Sequence, residues 1–465
     1  MTPIKNLLKK LFLFVFLLPF FSFTTITPKF GDKIKVDGII ESKEWDGAQT
    51  FDLKYEYDPG YNTLPPFKTT AYVTYSDTKL YVAFDAKIED MKYLRASIRE
   101  RDTGFEDDWV AIGLDTYGDN RSLIIIGSNA YGSQIDFKQT AGDQDEDISY
   151  YINYESKGVI GEDGYVVEMA IPFSELQYEK KDTLKWKATF IRNSWKESKI
   201  GVTNNKFDRG NDCIACQIET YIELEGVSPK KRLEFLPYVS GNYVGSNDGN
   251  KISYDKPNFK AGVSARYNLS SSTALDFTIN PDFSQVEADV TRININSPFA
   301  INYRERRPFF NEGNDILSSY GDAVYTRSIN NPIFASKIIN QGSKQRVYFL
   351  TYYDKDTPYL VAGENRSYFG KGEESFGNIF RYQRTFGNGS NVGFLSTNRF
   401  YNEGGTGNMF GVDAKIRFNK TYSLDFMYGN SFSKEPNKDW ISSSDIIEGK
   451  TVALDGEKFS GNALS

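Results

Sequence analysis

AGVSARYNLSSSTALDFTI, residues 261–279, decides the fold class. Ala261, Val263, Ala265, Tyr267 and Leu269 share one face of an extended chain, and Gly262, Ser264, Arg266 and Asn268 share the other. This is the period of two that a half-buried strand imposes. Ser270 to Ser272 supply a turn. After it Leu275, Phe277 and Ile279 face one way, and Asp276 and Thr278 the other. The stretch reads as a β-hairpin.

The pattern returns in FGVDAKIRFNKTYSLDFMY, residues 410–428, where a turn at Asn419-Lys420 divides two alternating runs. Weaker strands are expected at 233–244, 345–353, 376–386 and 391–400. Charges on the second face would be costly toward lipid, so in a membrane barrel that face lines the lumen. A soluble antiparallel sandwich carries the same alternation. Composition favours the barrel: the chain holds 31 Tyr and 35 Phe, yet its mean hydropathy is −0.50. Aromatic girdles and a polar lumen produce that combination.

Several function classes drop out. The net charge of −7 argues against a nucleic-acid partner, which needs a basic stripe. The sequence has no histidine, which removes Ser-His-Asp and Cys-His nucleophile systems and histidine-ligated zinc. The two cysteines, Cys213 and Cys216, form a lone CxxC. It suits a redox motif, half of a metal site or a local disulfide. In an exported chain without further soft ligands, a short structural disulfide is the expectation.

Export is read from the N-terminus. Lys5, Lys9 and Lys10 precede an apolar run from Leu11 to Phe23 that only Pro19 and Ser22 interrupt. It is shorter than a membrane-spanning helix and reads as a signal peptide over residues 1–27. There is no cysteine in this stretch, so no lipid anchor is expected. Any further membrane contact must be peripheral or through a closed barrel.

Residues 28–229 read as a β-sandwich. Strands are expected at Thr69–Tyr75, Leu80–Ile88, Trp109–Leu114, Leu123–Gly127, Tyr150–Glu155, Tyr165–Ile171, Leu184–Ile191 and Ile218–Leu224, separated by turn residues. Four blocks occur here in order: VDGIIESKEWDGA at 36–48, TAYVTYSDTKLYVAFDAKIED at 70–90, RERDTGFEDDWVAIGLDTYGDNRS at 99–122 and GYVVEMAIPFSEL at 164–176. Together they resemble the family 9 carbohydrate-binding module. PDFSQVEAD at 281–289 and NYRERRPFFNEG at 302–313 resemble the DUF5916 barrel domain that follows such a module in Bacteroidota outer-membrane proteins.

The resemblance implies an all-β protein: a sandwich over 28–229, then a partial outer-membrane β-barrel over 230–465 with a plug-like or connecting segment at 281–313. It implies an outer-membrane location, a periplasmic first domain, and a glycan ligand to be bound or taken up. Outer-membrane lipid and other outer-membrane proteins would be its partners. The closing GEKFSGNALS reads as the start of a strand rather than the end of a barrel, so the chain is expected to be a fragment.

Sugar recognition needs an aromatic platform and fixed polar groups. Trp109 and Trp195 are the platform candidates, with packing the competing role for Trp109 and also for Trp45. Arg101, in the RERD block, is the polar candidate. Calcium is the cofactor the resemblance allows. Asp107 and Asp108 before Trp109, and Asp143, Asp145 and Asp147 in GDQDED, are its candidate ligands, against strand-end hydrogen bonding and a solvated acidic turn. Glu287, Asp289, Arg304, Glu305, Arg306, Arg307 and Glu312 are expected to pair inside the barrel and fix the connecting segment. Two alternatives to glycan binding stand: a glycoside hydrolase working through paired carboxylates, and a non-catalytic structural protein whose sugar module is degenerate.

Overall fold

Inward-facing apolar residues at every second position build the first unit. In the computed structural model, Ala71, Val73 and Tyr75 point inward from one strand and Leu80, Val82, Phe84 and Ala86 from the next, all essentially inaccessible to solvent. The structure describes residues 27–29 and 34–465, excepting 141–145, 149, 212, 228–232, 244, 248–250, 255, 282–304, 306, 318–323, 356, 363–366, 372–373, 388, 403, 420–421, 439–445, 448–449 and 452–453. Residues 1–26 of the expected signal peptide therefore lie outside the described residues, whereas Thr27 is buried and its N–H donates to the Glu223 carbonyl at 3.0 Å.

Among the described residues the first unit has thirteen strands: β1 Gln49–Asp52, β2 Tyr55–Asp58, β3 Thr69–Tyr75, β4 Lys79–Lys87, β5 Trp109–Asp115, β6 Ser122–Asn129, β7 Gln134–Thr140, β8 Glu146–Asp147, β9 Glu155–Ile160, β10 Gly164–Pro172, β11 Thr183–Trp195, β12 Lys199–Thr203 and β13 Tyr221–Glu225. One sheet runs β1-β3-β4-β10-β9; the other runs β2-β12-β11-β5-β6-β7-β8, with β13 beside β11. They pack face to face. Phe51 stacks on Phe190 at 4.5 Å between ring centroids, and Phe84 meets the same ring edge-on. Tyr150–Glu155, expected as a strand, is extended chain without a ladder up to Glu155, where β9 begins.

Part of each outer face of the sandwich is covered. Residues 34–48 cross the outside of the five-stranded sheet, placing Trp45 over Tyr81, Ala83 and Ala170. Glu168 holds them there. Its buried carboxylate accepts the backbone N–H groups of Asp37 (2.9 Å) and Gly38 (2.8 Å) and the indole N–H of Trp45 (2.8 Å). Gly38 sits at φ +85°, where a Cβ would come within 2.5 Å of Val159, so only glycine suits this crossing. On the other sheet Ala215 and Ile218 pack over Trp109, Ala111, Leu123 and Ile125.

Cys213 and Cys216 close a disulfide within that covering loop, with Cα atoms 5.3 Å apart. By loop-closure entropy a ring this short stabilises by about 2 kcal/mol. Reduction should lower the unfolding free energy read from urea denaturation by that amount, and the midpoint with it. An unchanged midpoint would mean the loop is held by its apolar contacts alone.

The second unit is one antiparallel sheet. Its strands include β14 Leu233–Asn242, β17 Asn258–Ser270, β18 Thr273–Ile279, β19 Pro332–Gln341 and β20 Gln345–Asp354; the hairpin of β15 Gly245–Asn247 and β16 Ile252–Tyr254 is separate. Beyond the small pair β21 Pro358–Ala362 and β22 Ser367–Lys371 come β23 Ser375–Phe386, β24 Ser390–Tyr401, β25 Thr406–Arg417 and β26 Ser423–Lys434. Two short pairs, β27 Asn437–Lys438 with β30 Leu454–Asp455 and β28 Ile446–Ile447 with β29 Lys450–Thr451, precede β31 Lys458–Leu464. The ten-stranded order is β14-β17-β18-β19-β20-β23-β24-β25-β26-β31.

Among the described residues no ladder joins β14 to β31, so the sheet is open. This corrects the expectation of a closed or partial outer-membrane β-barrel. The outer-membrane location and the periplasmic placement of the first domain, which the resemblance implied, presuppose a barrel that the described sheet does not form. The alternation itself is present. Phe277, Phe349, Phe394, Phe410 and Phe426 are exposed, whereas Asp276, Lys337, Arg381 and Asp413 are buried on the opposite face. The buried face receives Phe310, Ile316 and Leu317 from the segment 307–317. Lys337 donates to the Glu312 carbonyl at 3.0 Å, and Arg381 to that of Ile316 at 3.1 Å.

The two units meet along this segment. Lys138 of β7 pairs with Asp315 at 2.9 Å, Gln177 donates to Glu312 at 3.0 Å, and the Tyr178 N–H donates to Ser271 at 3.0 Å. Arg346 of β20 closes on the same Asp315 carboxylate from the sheet side.

Candidate functional site

The chain between β4 and β5 carries Arg95, Arg99 and Arg101 along one rim of the sandwich. Three buried carboxylates underneath fix it. Asp108 accepts the Arg95 backbone N–H at 2.9 Å and the Ser194 hydroxyl. Asp107 takes the Ser97 N–H (3.2 Å), the Arg99 guanidinium (3.1 Å) and the Asn129 side chain (2.9 Å). Asp136 pairs with Arg101 and accepts the Ile152 N–H at 2.7 Å. Burial pushes the Asp136 carboxyl up to about 7, with Arg101 opposing and Asp102 adding to the rise.

β11 ends at this rim with Trp195. The Arg95 guanidinium lies 3.8 Å from the centre of its ring, a cation–π stack. Arg95 is exposed, and its guanidinium lies over the indole. The buried Trp195 Nε1 has no hydrogen-bond partner among the described residues. A second stack stands nearby, where Arg101 lies 4.1 Å from the centre of the exposed Tyr151 ring. Tyr131, also exposed, belongs to the turn whose Ser133 hydroxyl accepts the Arg99 N–H at 2.9 Å.

Of the three residues expected to bind ligand, Trp195 and Arg101 therefore sit on this rim. Trp109 does not: it is buried, with Phe105 edge-on at 6.4 Å, and serves packing. Asp107 and Asp108 spend their oxygens on the donors above and do not fit calcium. Among the described residues no group of three or more acidic or cysteine side chains is placed to hold a metal ion. Asp147 lies in β8 opposite Lys138; Asp143 and Asp145 lie outside the described residues.

In the second unit Arg307 is buried and pairs with Glu305 at 2.7 Å, beside the Thr326 hydroxyl. Glu312 pairs with Arg266. Glu287, Asp289, Arg304 and Arg306 lie outside the described residues. Arg95 and Tyr151 were not legible as site residues, because neither stack follows a local spacing. The alternating bases of RASIRER were the one available hint.

The family described as carbohydrate family 9 binding domain-like matches residues 36–226, and the domain of unknown function DUF5916 matches residues 229–348. The chain thus carries a family-9-like carbohydrate-binding domain followed by a DUF5916 domain. Among solved structures, a family 9 carbohydrate-binding module from Caldicellulosiruptor kristjanssonii in complex with cellotriose aligns at 18% identity and a TM-score of 0.32, covering 44% of this chain and 94% of its own. The same organism's module in complex with glucose aligns at 16% identity and a TM-score of 0.31, covering 44% and 97%. No curated protein matches.

Proposed function

We propose that the sandwich is a non-catalytic saccharide-binding module carried on the ten-stranded sheet. The Arg95–Trp195 stack, placed at an open rim on a domain that matches the carbohydrate family 9 group, carries this reading. The indole and guanidinium planes offer an apolar surface, and the free guanidinium edge offers donors to sugar hydroxyls. The exposed Arg99 and Tyr131 extend the polar surround. The hydrolase alternative gains nothing from this rim, since Asp107, Asp108 and Asp136 accept structural hydrogen bonds and leave no acid–base pair among them.

A glycan array probed with the full chain tests the reading. Saturable binding to a defined sugar is expected, weakened about tenfold or more by Trp195→Ala and by Arg95→Ala. Binding that ignores both substitutions would move the site elsewhere. Absence of binding by the folded chain would favour the second reading, a degenerate module acting as an assembly platform. The buried Lys138–Asp315–Arg346 contact between the units supports that role.

A further inference from the structure

A groove of about 620 Å³ crosses the outside of the five-stranded sheet, and Trp195 is not in its lining. The covering segment 38–48 forms one wall and the outward side chains of the sheet form the floor. Register explains the floor. Val159, Val166 and Asp85 stand side by side on β9, β10 and β4. Tyr72 and Thr50 stand opposite each other on β3 and β1, one outward pair further along. Five neighbouring strands at about 4.8 Å each make a path of roughly 19 Å.

The lining is mixed in the way a sugar ring is mixed. Tyr72 presents a half-buried ring held edge-on to Trp45 at 6.2 Å. Ile39, Ile40 and Val159 add apolar surface. The Thr50 hydroxyl, the Asp85 carboxylate and the Lys87 amine supply acceptors and donors along the floor. Lys87 lies 3.3 Å from Asp85 and 3.0 Å from Asp163. Asp46, Asp85 and Asp163 outnumber that single cation in the lining, so an anionic ligand is disfavoured.

We propose that this groove is a second binding site, taking a short neutral oligosaccharide laid across the strands. It is independent of the rim, and its test is run without the rim. The full chain carrying Trp195→Ala is titrated calorimetrically with cellohexaose, xylohexaose and mannohexaose. At least one should bind saturably. Adding Thr50→Trp, which fills the floor from an exposed position, should weaken that binding about tenfold or more while leaving the melting curve in place. Tyr72→Ala should do the same, with Thr50→Trp as the control for any loss of folding. If none of the three binds the Trp195→Ala chain, or if Thr50→Trp binds as well as its parent, the groove is not a saccharide site.

Discussion

Replacing Asp315 by alanine is expected to destabilise the folded chain by about 3–5 kcal/mol, the usual consequence of removing one partner from a buried ion pair. The carboxylate lies between Lys138 of the sandwich and Arg346 of the sheet, and all three side chains are largely shielded from water. Without Asp315 two buried cations face each other. The double variant Asp315→Ala with Lys138→Met should recover part of the loss, because it removes one stranded charge along with the anion. Denaturant unfolding of the single and double variants gives the comparison. A single-variant loss below about 1 kcal/mol would place the triad among weak surface pairs.

The same triad sets an acid limit. Burial alone would push the Asp315 carboxyl up, but the Arg346 guanidinium and then the Lys138 ammonium outweigh it and hold the group well below the usual range. A folded-state pKa below the unfolded one means that the unfolded chain binds the proton first. The stabilisation is therefore complete above an unfolded pKa of about 3.9 and is lost as pH falls below it. Hydrogen exchange at residues 314–317 and in β7 should rise together in that window. Exchange in the two segments that rises at different pH would show that Asp315 does not join the units.

How far the sequence could be read depended on whether the cause was local. Alternation at 261–279 and 410–428 is local, and β17, β18, β25 and β26 form there with apolar side chains outward. Closure is a pairing between the first and last strands, which no alternation encodes, and among the described residues no ladder makes it. Tyr150–Glu155 misleads for a related reason. Ile152 and Tyr154 are buried and their neighbours exposed, as in a strand, but Asp136 and Gln134 side chains take the backbone bonds a ladder would have made. The rim was half legible: Trp195 and Arg101 could be named from their motifs, whereas Arg95 reaches Trp195 across a long stretch of chain. Asp315 stood just past the motif that drew attention to Glu312.

Glu168→Ala is the second large effect expected. One carboxylate anchors three donors, two backbone N–H groups and an indole N–H, so its removal leaves each without an acceptor. A stranded buried donor costs about 1–3 kcal/mol, but the loss has a ceiling. Once it exceeds what holds residues 34–48 on the sheet, the segment lifts and its donors reach water. The variant should therefore lose about 3 kcal/mol and become cleavable between Val36 and Trp45 while the sandwich core stays protected. Glu168→Gln should fall between, because a carboxamide has one acceptor oxygen and must turn an NH2 toward either the indole or the two amides. Limited proteolysis with cleavage sites read by mass spectrometry separates the outcomes. Cleavage spread through β3, β4 and β10 would mean that Glu168 supports the whole sheet. Resistance equal to the parent would mean that Trp45 burial alone keeps the segment down. This contact joins the first and fourth sequence blocks in space, since the backbone of VDG and the tryptophan after it meet one glutamate on β10.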